Sequence, residues 1–443
     1  MFRTIATSAG LAGSCFALWT FYSDKTQASS NVTTNEIIQN TKTFIWGNGV
    51  YQPRPDAALR FKNYEPKLIK TFMGKDGINL KDITFGDNHE GGIDINNNIH
   101  VWKSHKLDSS YSKGDNERSE ILVLDEGGDN KQMAFAMGFI WILKENGDVY
   151  QHTILDEKQY KVQLPIEVEI IKTPQKVDEL KGIVQISSGE GHFAALDKNG
   201  HVWVVGDDTL GQCGQGAQMR NSAPPFFQKE YKKPVKVANL TNITKIACGA
   251  NHTIAVNRDG VVFGWGSNSN IQLSHHLEFS QPENPLLAVF SPIRIEKNLG
   301  PIVITDIAAG DEFSIFVGRN RFSSETEVYA CGHNLHGELG LGGLSHIQEV
   351  TKIQSLSNYK VTSEEEGQQD VTIDKLSCGS GHCMALLNIG AVLIWGGNEH
   401  GQLGNKKRVF SENPGVVKEL ADEKVLNICC KHRNSAAICE HKL

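Results

Sequence analysis

Cysteine, proline and surplus positive charge are all scarce in this chain of 443 residues. Nine cysteines are an odd number and too few for a scaffold held together by disulfides. Lys and Arg number 44 against 51 Asp and Glu, and the net charge of −7 argues against a nucleic-acid binder that relies on bulk charge. With 39% hydrophobic and 21% charged residues, the chain is neither a disordered protein nor a multi-span membrane protein.

Glycine is the abundant residue, with 43 copies against 13 prolines. These glycines follow no collagen-like period. They therefore indicate many tight turns, and hence many short strands or a repeat array.

The N-terminus differs from the rest, because residues 4–23 carry no charge. A helix of 20 residues is about 30 Å long, the thickness of a hydrocarbon core. Residues 1–23 are therefore a candidate transmembrane anchor, followed by a polar linker at 24–42. The candidate anchor residues are Leu11, Phe16, Leu18, Trp19, Phe21 and Tyr22. Two alternatives stay open, a cleaved secretory signal and a mitochondrial presequence, and the latter can coexist with an anchor.

The segment 246–273 is the template of an internal repeat. One strand ends at Gly249, a second apolar strand starts at His252, and a third ends at Trp265. Asp-Gly between the second and third strands is a strong hairpin signal. The same order of strands and turns recurs along the chain.

Seven copies have first-strand anchors at 83, 133, 186, 246, 307, 376 and 428. The last copy stops after two strands, and its missing strand is present at 43–47. Seven units with one split across the termini predict an all-β fold, a seven-bladed β-propeller over 43–443 closed by pairing of its two ends. The residues that we interpret as structural repeat positions are Gly86, Gly189, Gly249, Gly310, Gly379, His89, His192, His252, His382, Trp46, Trp102, Trp265 and Trp395.

The combination of Gly-x-x-His, Asp-Gly and Trp-Gly-x-Asn-x-x-Gly-Gln-Leu-Gly resembles the repeat of the regulator of chromosome condensation family. The resemblance covers roughly 400 residues and implies a seven-bladed propeller, in agreement with the independent count. Val205 and Cys331 depart from the pattern at the Trp position, and Phe139, Phe313 and Asn434 depart from it at the His position.

We find no catalytic constellation and predict a protein that is not an enzyme and holds no cofactor. The chain has no P-loop, nucleophile elbow or His-Glu-x-x-His motif. Cys248, Cys378 and Cys430 share one position in an apolar strand, as small buried thiols do. Cys429 and Cys430 point to opposite faces of a strand, so the cysteines and histidines at the C-terminus predict no metal site.

Extra residues separate the repeats at 151–182, 215–242, 275–303 and 344–372. The third segment is unusually apolar, and loops on a rigid scaffold are where binding residues concentrate. It is a candidate partner-binding loop, and the alternative is that it folds back on the rim of the propeller. Its candidate residues are Pro285, Leu286, Leu287, Val289 and Phe290.

Three functional hypotheses follow. The first is a non-catalytic scaffold tethered to the mitochondrial inner membrane, an accessory subunit or assembly factor of a respiratory-chain complex, because the resemblance includes mitochondrial members of this kind. The second, also implied by the resemblance, is a guanine-nucleotide exchange factor for a small GTPase, or a factor associated with the mitochondrial ribosome. The third is a secreted propeller that binds another protein.

Overall fold

The computed structural model describes residues 40–47, 65–73, 77–87, 89–103, 121–125, 128–154, 173–216, 230–275, 287–345, 347–363 and 367–441. Helical structure in these ranges is limited to a 3-10 turn at Lys418–Leu420. No helix in them has the length and apolar character to cross a membrane. The candidate anchor at 1–23 and residues 24–39 of the linker lie outside the described residues.

The described strands form seven four-stranded antiparallel sheets, the blades. In chain order, the first strands are β1 (Thr41–Gly47), β2 (Lys67–Met73), β3 (Leu80–Phe85), β4 (His89–Asp94), β5 (Ile99–Lys103), β6 (Leu122–Asp125), β7 (Asn130–Ala136), β8 (Phe139–Lys144), β9 (Val149–Thr153) and β10 (Gln175–Lys176). Blade 2 consists of β3 to β6 and blade 3 of β7 to β10, each counted from the innermost strand outwards.

Blades 4, 5 and 6 each use four consecutive strands. Their strands are β11 (Ile183–Ser188), β12 (His192–Asp197), β13 (Val202–Asp207), β14 (Glu230–Lys236), β15 (Ile243–Cys248), β16 (His252–Asn257), β17 (Val262–Ser267), β18 (Ala288–Ile295), β19 (Ile302–Ala309), β20 (Phe313–Asn320), β21 (Thr326–Gly332) and β22 (Ile347–Lys352).

A separate hairpin precedes blade 7, and blade 1 closes the ring. The remaining strands are the hairpin pair β23 (Lys360–Ser363) and β24 (Gly367–Asp370), the blade 7 strands β25 (Ile373–Cys378), β26 (His382–Leu387), β27 (Val392–Gly396) and β28 (Ser411–Val416), and the C-terminal strands β29 (Val425–Lys431) and β30 (Asn434–Glu440).

Blade 1 is built from both ends of the chain, as predicted. β1 pairs antiparallel with β30 from Thr41 opposite Glu440 to Gly47 opposite Asn434. The strand order of this blade is therefore β29, β30, β1, β2. The innermost strands β29, β3, β7, β11, β15, β19 and β25 contact one another in that cyclic order, which completes the seven-bladed ring.

The segments that we interpreted as insertions between repeats contain the outermost strands of four blades. The interpretation as insertions was therefore wrong. β10, β14, β18 and β22 lie within 151–182, 215–242, 275–303 and 344–372. An outermost strand has one neighbour strand and faces solvent, so it carries little apolar alternation. β14, for example, has no fully buried residue. The three-strand template therefore missed the fourth strand of each blade.

The Gly-x-x-His spacing has a steric cause. The imidazole of His252 lies on Gly249, where an added Cβ would overlap the ring, and Gly189 and Gly379 meet His192 and His382 in the same way. Phe313 covers Gly310 equally closely. At Gly86 the covering ring belongs instead to Phe135 of blade 3.

These histidines join neighbouring blades through a relay of hydrogen bonds. His192 Nε2 lies 2.9 Å from Thr253 Oγ1 in the next blade, and that hydroxyl donates to the carbonyl of Gln212 at 3.2 Å. His252, Ser314 and Gln272 repeat the arrangement with distances of 3.1 and 2.8 Å. His382, Ser435 and Gln402 repeat it at 2.9 and 2.9 Å.

The repeat tryptophans donate to carbonyls at the same repeat position, two of which are carbonyls of the relay. Trp265 Nε1 donates to the Gln212 carbonyl at 2.9 Å, and Trp46 Nε1 donates to that of Gln402 at 2.7 Å. Trp395 Nε1 donates to the Glu338 carbonyl at 2.8 Å. Each relay hydroxyl donates its proton to a carbonyl, so it can only accept a hydrogen bond from the histidine. The histidine must therefore carry its proton on Nε2 in the neutral form.

We predict that the free energy of unfolding decreases as the pH is lowered below about 6.5, because of these three histidines. Burial lowers the pKa of His192 to about 3 and those of His252 and His382 to about 4. Their unfolded pKa is about 6.5, so below that pH the unfolded chain binds protons that the folded chain does not. At pH 5.5 the free energy of unfolding should therefore be lower than its value well above pH 6.5, by on the order of 1 kcal/mol for each histidine.

The variant His382→Phe, which copies Phe313 of blade 6, tests this. The measurement is the free energy of unfolding in urea at pH 7.0 and at pH 5.5. Between these two pH values, His382→Phe should lose about 1 kcal/mol less stability than the wild type does. The exposed His275, changed to Gln, serves as the control and should leave the drop unchanged. Equal drops in wild type and His382→Phe would contradict the prediction.

Removal of β1 should prevent closure of the ring. A chain that begins at residue 40 keeps β1, whereas one that begins at residue 48 leaves β30 with an unpaired edge that bears the buried Ala436 and Ile438. Unpaired edges invite association. In size-exclusion chromatography with light scattering, we expect a monomer from the first chain and aggregates from the second. A monomeric, cooperatively unfolding second chain would refute this role of β1.

Candidate functional site at the mouth of the propeller

One end of the ring, which we call the mouth, is formed by the turns between the first and second strands of the blades. Its carboxylates come from three blades. Asp87 follows β3, Glu190 follows β11, and Asp311 and Glu312 follow β19. Asp87, Glu190 and Glu312 are exposed, and Asp311 is half-buried. We refer to these four residues as the acidic mouth.

Backbone hydrogen bonds between blades hold the turns of the mouth in place. Glu190 N donates to the Ala250 carbonyl at 3.0 Å, and Ala250 N donates to the Asp311 carbonyl at 3.2 Å. On the other side, Ser380 N donates to the His432 carbonyl at 2.7 Å. The carboxylates are therefore presented from a braced backbone.

The carboxylates interact with one another. The pKa of Glu190 is raised, first by partial desolvation of its carboxylate and then by the charges of Asp311, Asp87 and Glu312. Lys431 opposes this rise. The acidic mouth is thus a concentrated negative field, of the kind that attracts a basic surface.

Lys431 spans the propeller axis below the acidic mouth. It ends β29 in blade 1, and its ammonium donates to the carbonyl of Ser188 and, at 2.9 Å, to the Ser188 hydroxyl in blade 4. Burial lowers the pKa of Lys431, while Cys248 and Asp311 act in the opposite direction. The side chain links two blades that are not neighbours in the ring.

A cavity of about 330 Å³ opens beside the axis and is lined by residues of blades 4, 5, 6, 7 and 1. Glu190, Asp311 and Glu312 of the acidic mouth line it, together with Glu399 and Arg433. It also holds a group of three residues that could bind a metal ion, His333, His336 and Glu338, the one such group in the described part of the chain.

The carboxylate of Glu338 has two imidazole neighbours. Burial would raise the pKa of Glu338, but hydrogen bonds from His333 and from backbone N–H groups hold it below its usual range. The same hydrogen bond raises the pKa of His333. Sequence reasoning missed this group. Its signal is the spacing His-x-x-His-x-Glu, with Glu338 at the position where Gln212, Gln272 and Gln402 stand.

The predicted repeat histidines and tryptophans lie between the blades, whereas the repeat glycines lie in the turns of the mouth. The side chains of His192, His252, His382, Trp265 and Trp395 are fully buried. In blade 2, Trp102 donates from Nε1 to Glu90 at 2.8 Å, and His89 is buried beside it. These residues serve packing and hydrogen bonding in the fold.

The eight described cysteines are free thiols. Burial raises the pKa of Cys248 to about 11 and that of Cys429 to about 12, so these thiols are poor nucleophiles and poor metal ligands near neutral pH. Cys430 packs in the core between blades 7 and 1 and Cys429 in that between blades 1 and 2. They point to opposite faces of β29, as predicted.

The described part of the candidate partner-binding loop serves the fold. Val289 is buried within β18, and the Phe290 carbonyl accepts a hydrogen bond from Gly216 N of the neighbouring blade at 2.8 Å. The Leu287 carbonyl accepts from Asn268 N at 2.9 Å. Pro285 and Leu286 lie outside the described residues, so a partner role of the segment stays a prediction.

Comparison with known proteins identifies the family. A family model described as the RCC1-like domain matches residues 42–443. The chain belongs to the RCC1-like domain family. Among curated relatives, the human probable E3 ubiquitin-protein ligase HERC6 is 28% identical over 259 residues, or 58% of this chain. The match spans only 22% of the length of that relative.

Two solved structures that cover most of this chain have the same fold. Prp20p of Saccharomyces cerevisiae, described with its binding properties to Gsp1p and histones, has a TM-score of 0.68 at 21% identity, covering 92% of this chain and 93% of that chain. Human WBSCR16 has a TM-score of 0.64 at 18% identity, covering 91% and 100%. At these identities the likeness shows the fold alone.

The electrostatic coupling at the mouth predicts a measurable effect of Lys431. In Lys431→Met, the pKa of Glu190 should rise further, because a positive charge that opposes its rise is removed. A pH titration of the Glu190 carboxyl carbon by NMR measures this. Lys245→Met, which breaks an ion pair with Asp306 instead, should leave the titration unchanged. An unchanged or lowered pKa of Glu190 in Lys431→Met would contradict the coupling.

Proposed function

We propose that this RCC1-like propeller is a non-catalytic scaffold whose acidic mouth docks a basic surface of a protein partner. The observation that carries this proposal is the set of four mutually interacting carboxylates from three blades, with the turns of Glu190 and Asp311 braced by backbone hydrogen bonds between blades. A rigid charged surface steers association and requires little ordering on binding.

We further propose that the chain is anchored in the mitochondrial inner membrane and acts as an accessory subunit or assembly factor of a respiratory-chain complex. The uncharged run at 4–23 supports a tether, and the acidic propeller and reduced thiols fit an organelle interior. A secreted propeller stays the alternative for the same N-terminal residues.

Nucleotide exchange on a small GTPase is the second candidate, favoured by the acidic mouth. The resemblance implies that exchange uses a wedge-like hairpin and an acidic face. The hairpin β23–β24 lies in the connection from blade 6 to blade 7, which runs at the end of the ring opposite the mouth.

The test is native-gel separation of membranes extracted in mild detergent, with mass spectrometry of the proteins that co-migrate with the full chain. We expect a respiratory-chain complex, and we expect Glu190→Lys with Glu312→Lys to abolish co-migration. The matched control is Asp259→Lys with Glu296→Lys, two exposed residues at the opposite end with the same change in charge.

Each other outcome speaks against part of the proposal. A free monomer, or a complex that both double variants retain, would refute docking at the acidic mouth. Peptides that never reach residues 1–23 would refute the retained anchor. Faster nucleotide release from a co-migrating GTPase would establish the exchange factor in place of the scaffold.

A further inference from the structure

Blade 6 departs from the other blades in the turn after its third strand. In blades 4, 5 and 7 this turn carries a glutamine whose Oε1 accepts a backbone N–H two residues earlier. Leu210 N donates to Gln212 Oε1 at 2.8 Å, Asn270 N to Gln272 Oε1 at 3.0 Å and His400 N to Gln402 Oε1 at 2.8 Å.

In blades 4 and 5 the Nε2 group of this glutamine also donates a hydrogen bond to a side chain. Gln212 Nε2 donates to Asp207 at 3.1 Å, and Gln272 Nε2 donates to Ser267 at 3.4 Å. These partners lie five residues before the glutamine. The turn is thus closed by an amide that accepts with one end and donates with the other.

In blade 6 a carboxylate replaces that amide, the imidazole of His333 stands where Asp207 and Ser267 stand, and the imidazole of His336 also faces the carboxylate. Glu338 Oε2 accepts the backbone N–H of His336 at 2.8 Å, as the glutamine oxygen does elsewhere. Glu338 Oε1 lies 2.9 Å from His333 Nδ1 and 3.1 Å from His336 Nδ1. One carboxylate oxygen therefore faces two ring nitrogens, where a structural turn requires only one donor.

We propose that His333, His336 and Glu338 form a binding site for a divalent cation of the zinc class. Two imidazole nitrogens and one carboxylate oxygen are a ligand set that zinc uses in sites with an open position. Zinc bonds of 2.0–2.1 Å in tetrahedral geometry place neighbouring ligand atoms roughly 3.3 Å apart. The nitrogen-to-oxygen distances of 2.9 and 3.1 Å lie within a few tenths of an ångström of that value.

The exposed fraction of the three side chains increases from Glu338 to His333 to His336, as a path for an ion from solvent requires. Glu338 is 2% exposed, His333 19% and His336 45%. The carboxylate forms the floor, and the imidazoles open onto the cavity of about 330 Å³ beside the acidic mouth. A fourth ligand, water or a group from a partner, can reach the ion from this cavity.

The backbone of the site is fixed from a second blade. The Glu338 carbonyl accepts the indole N–H of Trp395 at 2.8 Å, which ties the turn to blade 7. The hydrogen bond from His336 N orients the carboxylate and leaves Oε1 for the ion, as an outer hydrogen bond does in known metal sites. On binding, each ring donates its Nδ1 lone pair, and any proton on that nitrogen moves to Nε2 or to solvent.

The repeat supplies variants that keep the fold. Glu338→Gln restores the residue of blades 4, 5 and 7, and His333→Ser restores Ser267 of blade 5. We expect the full chain in mild detergent to bind one zinc ion per chain in equilibrium dialysis with elemental analysis. Each variant should weaken binding by at least about 100-fold, since loss of a ligand costs more than loss of an outer hydrogen bond.

Two controls separate the site from general charge. Glu190→Gln removes a carboxylate of the same cavity, and His400→Asn removes a histidine of the same cavity, and both should bind zinc within about twofold of wild type. Cobalt titration should give the visible bands of a site with nitrogen and oxygen ligands. Circular dichroism in the absence of metal should show the same folded β-structure in wild type and Glu338→Gln.

Three results would overturn the proposal. The first is zinc binding by Glu338→Gln and His333→Ser with wild-type affinity. The second is thiolate-to-cobalt charge transfer in the near ultraviolet, which would place the ion on cysteines. The third is the absence of stoichiometric zinc on the wild-type chain. Because metal binding is measured directly, none of these results depends on the scaffold function.

Discussion

The propeller depends on one backbone carbonyl in the turn after the third strand of a blade. In blades 4, 5 and 7 this is the carbonyl of a glutamine, and it accepts a hydroxyl proton from the next blade. The same carbonyl also accepts a second hydrogen bond. At Gln212 and Gln402 the donor is an indole N–H, and at Gln272 it is the thiol of Cys331, at 3.3 Å. A single hydrogen bond contributes about 1 kcal/mol net, but a buried carbonyl left without partners costs about 1–3 kcal/mol. The blades are thereby held in fixed register around the ring.

The inner three strands of each blade could be predicted because the constraint is local. Gly249, for example, must lack a Cβ for His252 to reach the next blade, and both residues lie on one short segment. Departures at Phe313 and Cys331 are tolerated because a phenyl ring still covers Gly310 and a thiol still reaches the carbonyl. The outer strands could not be predicted, since β14 and its counterparts pair on one side only and carry no strong apolar signal.

The mouth could not be predicted from any single repeat. Asp87 and Glu190 each stand alone in their turns, and Asp311 has only Glu312 beside it. These carboxylates act on one another across blades only when the ring brings the turns together. The reach of Lys431 to Ser188 likewise requires that blades 1 and 4 face each other across the axis. The group at His333, His336 and Glu338 is different, because its spacing is local. Comparison of the glutamine positions between repeats would have revealed it.

The split of blade 1 has a consequence for how the chain is made. β1 is among the first described strands to leave the ribosome, yet its partner β30 begins at Asn434. At about 5–20 residues per second, synthesis of the intervening chain takes on the order of tens of seconds. During that time β1 has no native partner on this side and the growing row of blades has two open ends. The nascent chain therefore exposes unpaired strand edges until its final residues arrive and join the first strand to the last.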